Sequence, residues 1–482
     1  MTIPNFADIL SLISPIVEPA PFIRVRLNVG MMMDILSGEY VKQNGRYILN
    51  GGLHGTIGIA GCPNTFKSTL MMTMTAIAVD RLLANNVPTQ ITTYDTEDTL
   101  ERQRIQAFVD MLPTLASVNP LVNGVWTITT KNQTNGSEWW ESARKAAKMK
   151  IKSSKQLMVD TPYIDDKGNV VKVILPTFNH LDSITAFRSK DTDEIDDKAE
   201  LGDAKGLMLY MKAGLAKSRF LTALSSQAER SNTYFMISAH VGDLAPDMNA
   251  SPYAPKVEKK MPTMRSNQRY KGVTDNFFSL LGGIWQTHRV APLYVDKKPM
   301  YPKDKNDTRE FDTDLMCVNV QLMRSKASGD GDMIELIISK TSGFLPSLSE
   351  FHHIKTNDKF GLPGNDHNYV CALYPECKLN RSNIRTKLKD VKLQRAINIC
   401  SEMLQIYTLR KYTDESFRMS PEELYTSLSN KGYSWDKILT SRGWHSLGHP
   451  PKDVLTVTTM DLLAMAVGEL DLPEFKINQE GT

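Results

Sequence analysis

Cysteine is scarce in this chain, five in 482 residues. An odd count so thinly spread excludes a secreted disulfide framework and fits reduced thiols in a cytosolic compartment. Neither sign of charge is in excess: 57 Lys+Arg stand against 54 Asp+Glu, a net charge of +3, so no whole-molecule field announces a polyanionic partner and any nucleic-acid surface must come from local clustering. Long apolar runs are missing as well. The longest, Leu70 to Val79, is broken by Thr73 and Thr75, while the amino-terminal stretch carries Asp8, reaches Pro15 early and lacks a basic leader. The expectation is a protein neither exported nor membrane-spanning, placed in cytoplasm. Disorder is excluded by 41% hydrophobic residues, and the length suits two or three domains or one large α/β core with appendages.

What is present is an alternation of short apolar strands with helical runs. A strand at Ile57 and Ile59 meets a glycine-containing turn and then a helical run through Met71, Met74 and Ile77. Further strands are Ile91 to Tyr94, Val171 to Leu181 with Pro176 interrupting, and Tyr234 to Ala239. Such alternation predicts an α/β protein with a mostly parallel twisted sheet, whose ligands bind beyond the carboxyl ends of the strands. From 133 to 172 the pattern is polar and basic, with Trp139 and Trp140 opening a helix, and reads as an insertion. Val241 to Asp275 reads as a long loop, and the two β-rich segments after Phe311 as a hairpin closing the sheet. Beyond 380 helical periodicity predicts a small helical domain, in which Ser420, Pro421 and Glu423 form a capping box. The resulting division is 1–50 as an amino-terminal segment with a helix at Asn5 to Ile13, 51–355 as the core, and 380–482 as the carboxyl-terminal domain.

The residues that end the strands carry chemistry. Gly61-Cys62-Pro63-Asn64-Thr65-Phe66-Lys67-Ser68, continuing into Thr69, has the spacing of a Walker A loop, in which backbone N–H groups and a helix N-terminus cradle phosphates, Lys67 reaches the β and γ oxygens, and Ser68 binds Mg²⁺. Phe66 stands where glycine is usual; the alternative is an apolar loop before a helix. Asp95 and Glu97 come after a strand, where a carboxylate can orient an attacking water or merely cap a helix. Asp182 can hold the Mg²⁺ shell or mark a turn, and His240 can sense the γ-phosphate or be structural. Together they favour a nucleotide-hydrolysis site. His352, His353, His367, Cys371 and Cys377 match no compact zinc template.

An ordered set of residues, Val25-Arg26, Met31-Met32-Met33, Ile35 to Glu39, Gly51-Gly52-Leu53, Ile59-Ala60-Gly61, Phe66-Lys67-Ser68, Tyr94 to Glu97, Leu181-Asp182-Ser183 and Ile237 to His240, resembles the phage UvsX-like branch of the RecA recombinase family, up to about residue 355. That branch also carries Phe-Lys-Ser in its loop. The resemblance implies a RecA-like P-loop ATPase core using ATP and Mg²⁺. Lys67 and Ser68 would bind triphosphate and metal, Glu97 would position water, Asp182 would be the Walker B acid, and His240 would couple the γ-phosphate to DNA. Arg324 and Lys326 fall where the family's cations reach the ATP of a neighbouring subunit. The second DNA loop corresponds to Val241 to Asp275, where Lys256, Lys259, Lys260, Arg265, Arg269 and Lys271 supply charge and Tyr253 and Tyr270 can stack on bases. The first, Ser189 to Lys205, is acidic.

The expected protein is therefore a DNA-dependent ATPase. It would polymerise on single-stranded DNA as a homo-oligomeric helical filament and pair it with double-stranded DNA in phage recombination, repair and replication inside a bacterial host. Single-strand-binding and mediator proteins are further partners. The rivals are a ring helicase of the same superfamily and a nucleotide-dependent DNA-binding scaffold.

Overall fold

The computed structural model describes residues 24–196, 205–243, 259–304, 306–326, 330–365, 368–411 and 414–477. The helix expected at Asn5 to Ile13 lies outside them, as do Tyr253, Lys256 and His367.

A 10-stranded sheet organises the molecule. Its strands are β1 (Thr56–Gly61), β2 (Ile91–Asp95), β3 (Trp126–Thr130), β4 (Thr177–Asp182), β5 (Thr233–Asp243), β6 (Gln268–Tyr270), β7 (Gly283–Pro292), β8 (Leu315–Ser325), β9 (Met333–Ser339) and β10 (Gly343–Phe344). The order is β10-β9-β8-β7-β1-β5-β4-β2-β3, with β6 on β5. Strands β3, β2, β4, β5, β1 and β7 run parallel, while β8, β9, β10 and β6 pair antiparallel. This is the expected α/β fold with a mostly parallel sheet. β1 is buried at every position, as a strand covered by helices on both faces must be.

The helix α1 (Lys67–Leu83) comes after β1 and is buried nearly all round, which places its apolar residues inside the molecule rather than on its surface. The 133–172 segment lies within one crossover of the sheet. Its helix α2 (Gly136–Lys152) lies in the connection from β3 to β4, and parallel strands cannot be joined without such a crossover. The hairpin Met158–Ile164 with Val170–Ile174 stands apart from the central sheet, so the run expected as one strand from Val171 to Leu181 is two. The tryptophans pack inward: Trp139 stacks on Tyr94 with ring centroids 5.4 Å apart, and Trp140 abuts Phe220 and Phe235.

Two loop expectations also change. The segment after His240 begins as the end of β5 and returns as β6, in the register Tyr270 to Val241, and the acidic first loop contains the helix Lys190–Asp196. The hairpin after Phe311 is present as β8 and β9, and the Ser420–Glu423 capping box forms with both reciprocal hydrogen bonds. The helices beyond 380, chief among them one at Val391–Thr408, share a single buried cluster with Ile35, Leu49, Tyr301, Leu315 and Phe351. The carboxyl-terminal region is thus built onto the β8–β10 flank of the sheet. Trp435 stacks on Tyr425, and Trp444 packs against the guanidinium groups of Arg81 and Arg442 at 4.8 and 4.9 Å.

No helix among the described residues is long and apolar enough to cross a membrane.

Candidate active site

Gly61, Glu97, Asp182 and His240 come together because β1, β5, β4 and β2 are successive neighbours and each carries its residue at or just beyond the same end. Gly61 and His240 are register partners, as are Asp95 and Asp182. The turn from Gly61 into α1 has no spare room: a Cβ on Gly61 would fall on the hydroxyls of Thr287 and Thr65, which are hydrogen-bonded to each other at 2.7 Å. Asn64 and Phe66 both adopt left-handed backbone, each with φ 62°. For Phe66, directly before the first residue of α1, that is the conformation glycine takes at no steric cost, and a bulky side chain holds it at an expense of the order of 1–3 kcal/mol. Its ring packs against the main core and lies 5.9 Å from the Arg104 guanidinium.

Lys67 and Asp182 are buried, at 8% and 4% exposure. Burial pushes the Asp182 carboxyl above its usual range, opposed by hydrogen bonds from Ser238 and Ser68 and by the charge of Lys67. A buried acid beside both a hydroxyl and an ammonium is the donor set that a divalent cation and a phosphate chain require: Asp182 and Ser68 for the metal, Lys67 and the α1 N-terminus for the anion. The residues present therefore fit Mg²⁺ and a nucleoside triphosphate.

Glu97 is the acid that faces this site. Its Oε1 accepts from His240 Nε2 at 2.6 Å and from Ser183 Oγ at 2.7 Å, and the His240 bond, with Ser183 and Lys67 assisting, draws its pKa down to about 2. Because a carboxylate can only accept, the proton of that imidazole sits on Nε2. Asp95 does something else: its two oxygens take four backbone N–H groups, from Glu97, Asp98, Thr99 and Leu100. Of the Asp-x-Glu pair, Asp95 binds the backbone of its own turn, whereas Glu97 is half-buried and turned toward His240 and Ser183.

The backbone of His240 joins the strand end to the segment that returns as β6. Its carbonyl accepts from Lys271 N at 2.7 Å, and its N–H donates to Thr185 Oγ1 at 3.1 Å. Lys217, buried in the helix α3 (Lys205–Ser231), spans the carbonyls of Thr185 and Gly272, both at 3.1 Å, and desolvation lowers its pKa to about 8. Nothing in the sequence marks Lys217, one lysine of a long amphipathic helix. Thr96 ties β2 to β4 through the backbone of Ser183.

The remaining expected residues divide. Lys259, Lys260, Arg265, Arg269 and Lys271 are exposed beside β6, Lys260 within 3.0 Å of Asp275. Tyr270 is not available for base stacking. It is 5% exposed, donates its hydroxyl to Gln286 at 2.6 Å and packs on Phe277 and Phe278, because the alternation of β6 turns every second side chain inward. Arg324 and Lys326 lie at the end of β8 opposite Ile284 and Gly282, level with the start of β1, whereas the Gly61 turn is at its finish. The Arg324 guanidinium donates to the carbonyls of Phe278 and Ser279. These cations therefore do not meet the Gly61 turn within one chain. No protein-family model matches the chain, and no curated protein matches it.

Proposed function

We propose that the chain is a DNA-dependent ATPase of the RecA recombinase type, assembling on single-stranded DNA and promoting homologous pairing and strand exchange. The observation that carries this reading is the placing of Lys67, Ser68, Glu97, Asp182 and His240 around one set of strand ends, with Glu97 hydrogen-bonded to His240.

In this reading the α1 N-terminus and Lys67 hold the phosphate chain, and Asp182 with Ser68 would hold Mg²⁺, which would supply charge neutralisation to that chain. Glu97, kept ionised by its two hydrogen bonds, orients a water for in-line attack rather than removing its proton in the ground state. His240 stands between that carboxylate and the backbone of the segment bearing Arg265, Arg269 and Lys271. Occupation of the γ-phosphate position competes for the Glu97–His240 contact, and the Lys271 N–H bond passes the change to the basic surface.

The test is ATP hydrolysis by the full chain with and without single-stranded DNA, alongside electron-microscope imaging with a non-hydrolysable analogue. Helical filaments and DNA-stimulated hydrolysis support the proposal. Closed rings turn it into a helicase, and assembly without hydrolysis into a scaffold.

A further inference from the structure

Away from the strand ends that gather Lys67, Glu97 and Asp182, the flank where α4 (Pro346–Thr356) covers β8 and β9 holds a group of residues with unused chemistry. Cys317 of β8 is the register partner of Ile337, so Glu335, two residues before Ile337 on β9, projects diagonally from the same face. His352 comes down onto them from α4. One donor atom from each, the Cys317 Sγ, a Glu335 carboxylate oxygen and a His352 ring nitrogen, lie within 4.8 Å of one another, and His352 Nε2 is 3.6 Å from Glu335 Oε2. No other such group of three occurs among the described residues.

The surroundings are those of a metal ligand set. His352 Nδ1 is tied to the hydroxyl of fully buried Tyr301 at 2.8 Å, which fixes the ring and leaves Nε2 facing Glu335 and Cys317; ligating histidines are characteristically held in this way through their second nitrogen. Cys317 and His352 are buried while the Glu335 side chain is half exposed, giving a shielded interior and an entry route at the rim. A thiolate and a carboxylate balance a divalent ion. The nearby cations, Arg289 beside Cys317 and Lys355 over the Tyr301 ring at 5.3 Å, contribute no donor atoms to the three. Tetrahedral zinc ligands stand roughly 3.5 Å apart, so an adjustment within reach of side-chain rotation closes the set.

We propose that Cys317, Glu335 and His352 form a three-ligand site for a divalent transition metal of the zinc class, with a fourth position open to water, pinning α4 to the β8–β9 hairpin. On binding, the Cys317 S–H bond breaks, its proton leaves to solvent and the sulfur lone pair forms the bond to the metal, with no change of oxidation state.

The experiment is a titration of the metal-stripped, reduced full chain with cobalt(II) in the absence of nucleotide. It tracks the near-ultraviolet thiolate-to-cobalt absorption, with zinc added last as competitor. The result expected is one equivalent bound per chain with that absorption, its displacement by zinc, and its loss in Cys317→Ser. Glu335→Gln, at an exposed position where the fold is not at stake, is expected to keep the absorption and weaken affinity tenfold or more. Three results overturn the proposal: no thiolate absorption in the wild-type chain, absorption of undiminished size in Cys317→Ser, or unchanged affinity in Glu335→Gln. If Cys317→Ser fails to fold, the wild-type titration and Glu335→Gln decide alone.

Discussion

Single side chains at this site have separable duties. Replacing Glu97 by Gln keeps the shape but removes the charge that His240 and Ser183 hold in place. ATP binding is expected to persist while turnover falls 100-fold or more, measured by nucleotide titration and steady-state phosphate release; turnover within a few-fold of wild type would remove Glu97 from its role. His180, fully buried, supports a pH prediction. Thr75 Oγ1 donates its one proton to the Met71 carbonyl or the Met236 sulfur and so accepts from His180 Nε2, which leaves Nδ1 to accept from Thr93. Burial lowers its pKa to about 3 in the folded chain, against about 6.5 when unfolded. Between those values the unfolded chain binds the extra proton, so this contribution to stability is complete above pH 6.5 and is lost on acidification at up to about 1.4 kcal/mol per pH unit. The Tm advantage of the wild type over His180→Gln should therefore shrink steadily from pH 7 to pH 5. A constant difference would mean that the ring is already charged in the fold.

Elements decide which basic residues are free to meet a polyanion. β6 exposes Arg269 and buries Tyr270, so changing Lys259, Arg265, Arg269 and Lys271 together to Gln should weaken single-strand binding and reduce the slope of log K against log salt by about 3, at roughly 0.7 per phosphate contact. Tyr270→Phe should leave that slope unchanged and cost about 1 kcal/mol of stability by orphaning Gln286; fluorescence anisotropy over a salt series reads the first and thermal unfolding the second. The same elements show what is legible in the sequence. Gly61 to Ser68, Glu97, Asp182 and His240 are visible there because strand ends are local features with local spacing. The 3.6-residue periodicity likewise marks α2, and the Ser420 capping box marks its helix. Tyr270 reads as a free stacking residue because the pairing of β6 with β5 depends on a return from a distant segment, and α2 reads as an insertion because a crossover is defined only by the two strands it joins. Lys217, and the meeting of Cys317, Glu335 and His352, depend on long-range packing that no spacing encodes.

For the whole molecule, the placing of Arg324 and Lys326 at the amino-terminal end of the parallel strands sets a requirement on the assembly proposed above. Within one subunit the sheet itself separates them from the Gly61 turn, so under the proposed function these cations would reach a transferring phosphate only from a neighbouring copy through a head-to-tail interface, whether the product is a filament or a ring. Mixing two defective subunits tests this. Lys67→Ala subunits lack the phosphate-binding ammonium but keep both cations, while Arg324→Ala/Lys326→Ala subunits have the converse defect, and each alone should be inactive. In a random equimolar mixture an interface is whole only when a cation-deficient subunit supplies the nucleotide turn and a Lys67→Ala subunit supplies the cations. That is one arrangement of four, so DNA-stimulated hydrolysis should recover to roughly a quarter of the wild-type rate per subunit. Recovery requires the two halves of the site to come from different chains; a mixture that stays inactive although imaging shows co-assembly would return both cations to the structural role that the Arg324 hydrogen bonds to Phe278 and Ser279 already allow.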